Sequence, residues 1–360
     1  MHSREGWGNR MKFLKTFCTP IWACMASLVL AGCQDSFSHR SQAPIPTETL
    51  ALMSQIGTDQ DAPMLIRAYK KEAELEIWKM RSDGHYVRLK TYPMCRWSGQ
   101  LGPKTREGDR QVPEGFYSIT PAQMNPNSNY YLSFNVGYPN QLDRALGHTG
   151  GAIMVHGACS SAGCFSMTDV QIAEIYAIAR SSFDGGQQAI QMQSFPFRFT
   201  AENLAKHRLD PNMAFWEQLR EGSDHFDVTN QEPKVAFCGR HYVFNVTSEN
   251  GQAFDAAAPC PPLSQSAELM QAVSNKADKD NAKIAELIRR GVAPVRVVYQ
   301  DGGQHPFFST RFAEVSRPEA IVPPQEIKLD GGTLHDGNKQ PSQLSKAQDT
   351  HNHADPGGKK

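Results

Sequence analysis

Ala152-Ile153-Met154-Val155-His156-Gly157-Ala158-Cys159-Ser160-Ser161-Ala162-Gly163-Cys164-Phe165-Ser166-Met167-Thr168-Asp169 divides into a strand, a small-residue turn and a helix start. Ala152 to Val155 is an unbroken apolar run, the pattern of a buried strand. After it, Ile172, Ile175, Tyr176 and Ala179 recur at the spacing of one helix face, with Thr168 or Asp169 placed to cap that helix. Between the two lie a histidine, a glycine pair and two cysteines.

Such a turn suits thiolate attack on an acyl carbon. A free thiol is mostly protonated near neutrality, and a neighbouring imidazole can take the proton. Cys164 is therefore the candidate nucleophile and His156 the proton acceptor and donor. The helix that starts just after Cys164 also favours the thiolate. Gly163 lets the backbone approach a substrate without a side chain, and amides around Gly163 and Cys164 are placed to meet a developing oxyanion. Cys159 is the rival nucleophile, but it lacks the preceding glycine and the adjacent helix start. A buried, inert cysteine beside a core histidine is the plainer alternative for any isolated pair of this kind.

Upstream, Tyr138, Asn140, Asp143, Arg144 and His148 cluster before the strand. Arg144 is a candidate for holding a substrate carboxylate through paired hydrogen bonds. Tyr138 is grouped with it as a substrate-binding candidate, and His148 as an assisting base or binder. An Asp143–Arg144 pair that merely stabilises a loop fits equally well.

His156-Gly157 followed by Ser161-Ala162-Gly163-Cys164 resembles the active-site motif of the L,D-transpeptidase (YkuD-like) catalytic domain family, and more closely its YafK-like branch. That branch includes a peptidoglycan meso-diaminopimelic acid protein amidase. Other shared stretches are Gly99-Gln100-Leu101-Gly102-Pro103-Lys104, Glu107-Gly108-Asp109, Pro113-Glu114-Gly115-Phe116-Tyr117, Gly137-Tyr138-Pro139-Asn140, Asp143-Arg144, Phe195-Pro196-Phe197-Arg198 and Phe215-Trp216-Glu217-Gln218-Leu219. They run in one order from residue 65 to about 246. The broad family carries a second histidine where this chain has Ala162, and its first histidine lies further from the cysteine.

The resemblance implies a β-sandwich-like core and a cysteine acyl-enzyme acting at diaminopimelate linkages of peptidoglycan, with no metal and no organic cofactor. It leaves the acceptor open: an amine gives transpeptidation, and water gives hydrolysis. In the hydrolytic case it implies release of a wall-linked outer-membrane lipoprotein from diaminopimelate. A non-catalytic peptidoglycan-binding lipoprotein is the reading from another class.

Outward from the motif, short alternating strands at Ala73–Met80, Tyr86–Tyr92, Phe116–Thr120 and Tyr130–Val136, with turn residues between, predict a mainly β domain with flanking helices, α+β. Further helices are expected at 201–207, 212–221 and 266–290. A closing hairpin is expected at Lys234–Val246, turning at Gly239-Arg240. With 37 basic and 37 acidic residues the chain has no nucleic-acid footprint.

The N-terminus reads as an export signal. Arg10, Lys12 and Lys15 precede a short apolar run, and Leu30-Ala31-Gly32-Cys33 resembles the bacterial lipobox, with Cys33 as the lipidated residue. The lipid is then the only membrane attachment, at the periplasmic face, of the outer rather than the inner membrane. Export leaves Cys95, Cys159, Cys164, Cys238 and Cys260, an odd number in an oxidising compartment. That fits one free thiol, Cys164, and up to two disulfides of open pairing. The expected organisation is a signal over 1–32, a flexible tether over 33–62, the catalytic domain over 63–248, an extension with a helix and short strands over 249–322, and a disordered tail over 323–360.

Overall fold

Alternating Leu75 and Ile77, and the continuous run Met64–Tyr69, make the centre of the larger sheet. The structure is a computed structural model that describes residues 39–311 and 322–329. Its strands are β1 (Met64–Tyr69), β2 (Glu74–Met80), β3 (Tyr86–Pro93), β4 (Gly115–Ile119), β5 (Met124–Asn125), β6 (Ser133–Asn135), β7 (Met154–His156), β8 (Phe165–Ser166), β9 (Ile190–Phe195), β10 (Val235–Cys238), β11 (His241–Phe244), β12 (Thr247–Ser248), β13 (Leu263–Ser264), β14 (Val295–Val298) and β15 (Gln325–Lys328). The helices are α1 (Thr47–Gln55), α2 (Gln141–Ala145), α3 (Asp169–Asp184), α4 (Ala201–His207), α5 (Met213–Thr229) and α6 (Ala267–Arg289).

Five strands form a mixed sheet in the order β3-β2-β1-β9-β4, in which only the β1–β9 pair is parallel. Every residue of β1 and β9 is buried, as expected of central strands covered on both faces. A four-stranded sheet, β5-β6-β7-β8, carries the motif, and its β7–β8 pair is parallel. One core joins the two sheets through Ile66, Ile77 and Ile190 from the first, and Phe134, Val155 and Phe165 from the second. Helix α3 contributes Ile172, Ile175 and Ile178 to it, all fully buried. Each such side chain stabilises the fold by about 1.5–3 kcal/mol.

Thr168 caps α3. Its hydroxyl accepts from Gln171 N, and the Gln171 side chain accepts from Thr168 N, a reciprocal capping box. The loop from residue 94 to 114 is pinned from beneath. Lys70 Nζ pairs with Glu114 Oε1 at 2.9 Å, both side chains wholly buried, and also donates to the carbonyls of Gly102 and Val112. Glu114 also accepts from Gly102 N and from Trp216 Nε1. Burial pushes the Lys70 ammonium pKa down, against the opposing pull of Glu114.

Three expected boundaries change. Residues 47–55 form α1, whose Thr49 and Met53 are buried; Thr49 donates to Glu174, and Arg180 holds the carbonyls of Ser41 and Ala43. The second half of the expected tether is therefore packed helix. Nor does the fold stop at 248: Val295, Val297 and Tyr299 belong to the main core, and Trp97 exchanges backbone hydrogen bonds with Gly303 at 2.9 and 3.0 Å. Residues 325–328, expected to be disordered, pair with β14 as β15. Helix α6 falls where expected. The export signal and Cys33 lie outside the described residues, as does the tail beyond 329. Among the described residues no helix is long and apolar enough to cross a membrane.

Candidate active site

Parallel pairing of β7 with β8 sets the site. Val155 faces Phe165 and His156 faces Ser166, so Cys164 follows in register beside Met154. Side chains alternate along a strand. Cys164, Ser166, Met154 and His156 thus share one face of this ladder. Gly163 adopts φ +129°, a region open to glycine and strained for any other residue, which fixes glycine before the nucleophile.

Cys164 is partly exposed and is the free cysteine among the described residues. The other four pair as Cys95–Cys159 and Cys238–Cys260. The disulfide at Cys159 removes that residue as a rival nucleophile. The Cys164 Sγ accepts from Met154 N at 3.4 Å and lies 4.0 Å from the carbonyl oxygen of Ala152. Burial pushes its thiol pKa up, while the Met154 N–H and the charge of Lys104 pull it down.

His156 is 3% exposed, under the ring of Tyr130 at 4.6 Å between centroids. Its Nδ1 lies 2.6 Å from the carbonyl of Gly157, so Nδ1 is the protonated nitrogen and Nε2 keeps the lone pair. Nε2 sits 3.5 Å from Ser166 Oγ, whose own proton goes to the Ser160 carbonyl. Burial pushes the imidazole pKa down, more than the Gly157 contact raises it. The ring is therefore neutral near pH 7 and able to accept a proton at Nε2. No hydrogen bond joins ring and sulfur among the described residues. Catalytic contacts commonly tighten only in the substrate complex.

The turn after His156 is held shut. Gly157 fits where an added Cβ would stand 2.6 Å from Asp169 Oδ1 and 2.9 Å from the Tyr130 carbonyl. Asp169 accepts from Ala158 N at 2.8 Å, which ties the start of α3 to the histidine turn. Ala158 and Cys159 both have positive φ, and the disulfide to Cys95 locks them. The hydroxyl of Ser161 accepts from Gly163 N and Cys164 N, at 3.4 and 3.3 Å, and donates to the Cys164 carbonyl. The two amides expected to meet an oxyanion are thus aimed at Ser161 in this state, through long and weak bonds.

The upstream candidates do not converge on Cys164. Tyr138 is buried and its hydroxyl donates to the carbonyls of Lys104 and Thr149. His148 Nδ1 faces Asp143 Oδ1 at 3.3 Å, and Asp143 in turn closes the cap of α2 with Asn140. Arg144 is exposed, donates to the Pro139 carbonyl and lines a separate cleft of about 390 Å³ with Asn140, Gln191 and Lys234.

Three residues near the site carried no signal of their own. Lys104, within electrostatic reach of Cys164, is buried and held by Asp109 and the Arg106 carbonyl. Tyr130 covers the imidazole, and Ser161 braces the turn. The Gly102-Pro103-Lys104 and Glu107-Gly108-Asp109 stretches mark the loop, but not which thiol its lysine approaches.

A family model for the L,D-transpeptidase catalytic domain (YkuD) matches residues 70–185. Relatives named "Putative L,D-transpeptidase YafK", from Escherichia coli (strain K12) and Escherichia coli O157:H7, are each 40% identical over 182 residues, 51% of this chain and 74% of the relative. Among solved structures, the helical cell shape determining protein Pgp2 from Campylobacter jejuni aligns at 15% identity and a TM-score of 0.31, over 69% of this chain and 80% of that one. Bd1075 from Bdellovibrio bacteriovorus aligns at 17% identity and a TM-score of 0.26, over 46% of this chain and 60% of that one. These two structural likenesses are too distant to carry an argument.

Proposed function

This chain belongs to the L,D-transpeptidase family and is an enzyme of that type; from that premise we propose that it works in cell-wall remodelling as an exported cysteine acyl-enzyme. Its acyl donor is a peptidoglycan stem peptide at meso-diaminopimelate. The observation that carries this reading is the pairing of four cysteines in disulfides while Cys164 stays free, on the ladder face it shares with His156.

The cycle uses groups already in place. Nε2 of His156 takes the Cys164 proton as the sulfur attacks the diaminopimelate carbonyl carbon. The tetrahedral oxyanion collapses, the carbon–nitrogen bond breaks, and the imidazolium returns its proton to the leaving amine. A thioester to Cys164 remains. An acceptor then attacks it, His156 again taking the proton, and the thiol is restored. An amine acceptor gives a new cross-link; water gives hydrolysis and, from a lipoprotein-linked donor, free lipoprotein. Met154 N–H, aimed at the sulfur, stabilises the thiolate. Oxyanion donation by Gly163 and Cys164 amides requires exchange of their weak bonds to Ser161. Attachment through a lipid on Cys33, at the periplasmic face of the outer membrane, belongs to the same reading and rests on the Leu30-Ala31-Gly32-Cys33 pattern.

Incubation of the purified chain with lipoprotein-linked wall fragments, read by mass spectrometry, tests this. Diaminopimelate–diaminopimelate links identify transpeptidation, and lipoprotein ending in a free lysine identifies the amidase. Both products should vanish with Cys164→Ser. Neither product from the unaltered chain, with wall binding intact, would leave only a binding lipoprotein.

A further inference from the structure

The loop that approaches the nucleophile turn from the other side does so at Arg110. Its backbone stands at φ +54°, and its carbonyl accepts from Ser98 Oγ at 2.7 Å. Its Cα lies 3.9 Å from where a Cβ on Gly163 would be, one residue from the reactive sulfur. Its Nη2 donates to both oxygens of Asp301, at 3.1 and 3.0 Å, and lies 3.5 Å from the Ser161 carbonyl. Among the described residues Nε and Nη1 have no hydrogen-bond partner, and the side chain is 43% exposed. A guanidinium fixed at one nitrogen, with its remaining N–H donors open beside the Ser161 end of the nucleophile turn, is built to receive a carboxylate. Clipping the C-terminal segment does not need it, since buried Arg96 already holds Asp301 at 2.7 Å.

We propose that Arg110 binds the side-chain carboxylate of the diaminopimelate in the acyl donor, and that Asp301 positions it. This rests on the acyl-enzyme reading for the identity of the donor. It assigns a task in substrate recognition to a segment far beyond residue 185, where the family match ends. It also replaces Arg144, the candidate named from sequence, with an arginine that the fold places beside Gly163.

Binding to a Cys164→Ala protein tests the site without turnover. The probes are two synthetic stem peptides, one with the diaminopimelate side-chain carboxylate free and one with it amidated. The free acid should bind about tenfold to a hundredfold more tightly than the amide. Adding Arg110→Ala should bring the acid down to the level of the amide and leave the amide unchanged. Arg110→Lys should restore part of the difference, and Asp301→Asn should lose part of it. Equal affinity for acid and amide, no binding of either, or an equal loss on both with Arg110→Ala would overturn the proposal. A preserved acid preference in a chain that turns over neither peptide would defeat the acyl-enzyme reading alone and leave the carboxylate site standing.

Discussion

Both members of the candidate pair are held uncharged by burial. The thiol of Cys164 is pushed up and the imidazole of His156 down, so the resting state is thiol and imidazole rather than thiolate and imidazolium. Alkylation of Cys164 by a small reagent should therefore keep rising as pH passes about 8.5, the ordinary thiol value. A plateau between about pH 5 and 8 would mean a preformed ion pair and contradict this. His156→Ala should lower turnover by about 10²–10⁴ while high-pH alkylation survives, the signature of a lost general base. At this scale much was legible. The His-Gly and Gly-Cys pairs and the helix start singled out Cys164 and His156 from residue types alone. The partners of Tyr138 and His148 were not legible, because chain folding supplies them and spacing does not encode it.

Helix starts were readable from their caps. Thr168, Thr200 and Ser266 each accept a hydrogen bond from the third residue onward. Thr168→Ala should cost about 1 kcal/mol in chemical denaturation and loosen the start of α3, where Asp169 holds the histidine turn. Helix ends were less readable. The expected stop of α5 near 221 fails because Gly222 and Ser223 lie inside it. Gly222 is there for space: an added Cβ would stand 2.4 Å from the Phe116 ring and 2.5 Å from that of Phe244. Helix α1 was missed because a nine-residue helix is marginal by itself and gains its stability from tertiary contacts, Met53 in the core and Thr49 on Glu174. The Cys95–Cys159 link spans 64 residues and becomes visible only once β7 and β8 are paired. Cys95→Ser with Cys159→Ser should cost up to about 4 kcal/mol by loop-closure entropy and reduce turnover, with Cys164 still alkylatable. Unchanged turnover would show that the histidine turn holds without the bridge.

On the scale of the whole molecule, the described residues before 63 and after 248 complete the fold rather than decorate it. Ending the chain at Arg290 would strip Val295, Val297, Tyr299 and Phe308 from buried positions. At about 1.5–3 kcal/mol each, that approaches the total stability of a typical domain, so the truncated chain should be unfolded by circular dichroism at 25 °C. His207 adds a pH limit. It is fully buried, with neither ring nitrogen partnered among the described residues, stacked on Phe197 at 4.6 Å. Burial and the charges of Lys71 and Lys206 push its pKa down to about 4. The folded state disfavours the charged ring, so stability is fully present above the ordinary value of about 6.5 and is lost as pH falls from there toward 4. The loss is up to about 3 kcal/mol. Comparing His207→Phe with the unaltered chain by urea denaturation at pH 7 and 4.5 reads this directly; the variant should lose less stability on acidification. The central claim is a thioester at residue 164. Intact-protein mass spectrometry after rapid mixing with a stem peptide should find one acyl adduct, mapped to Cys164, released by hydroxylamine and absent from Cys164→Ser. Turnover without any adduct on Cys164, or turnover undiminished in Cys164→Ser, would contradict the account.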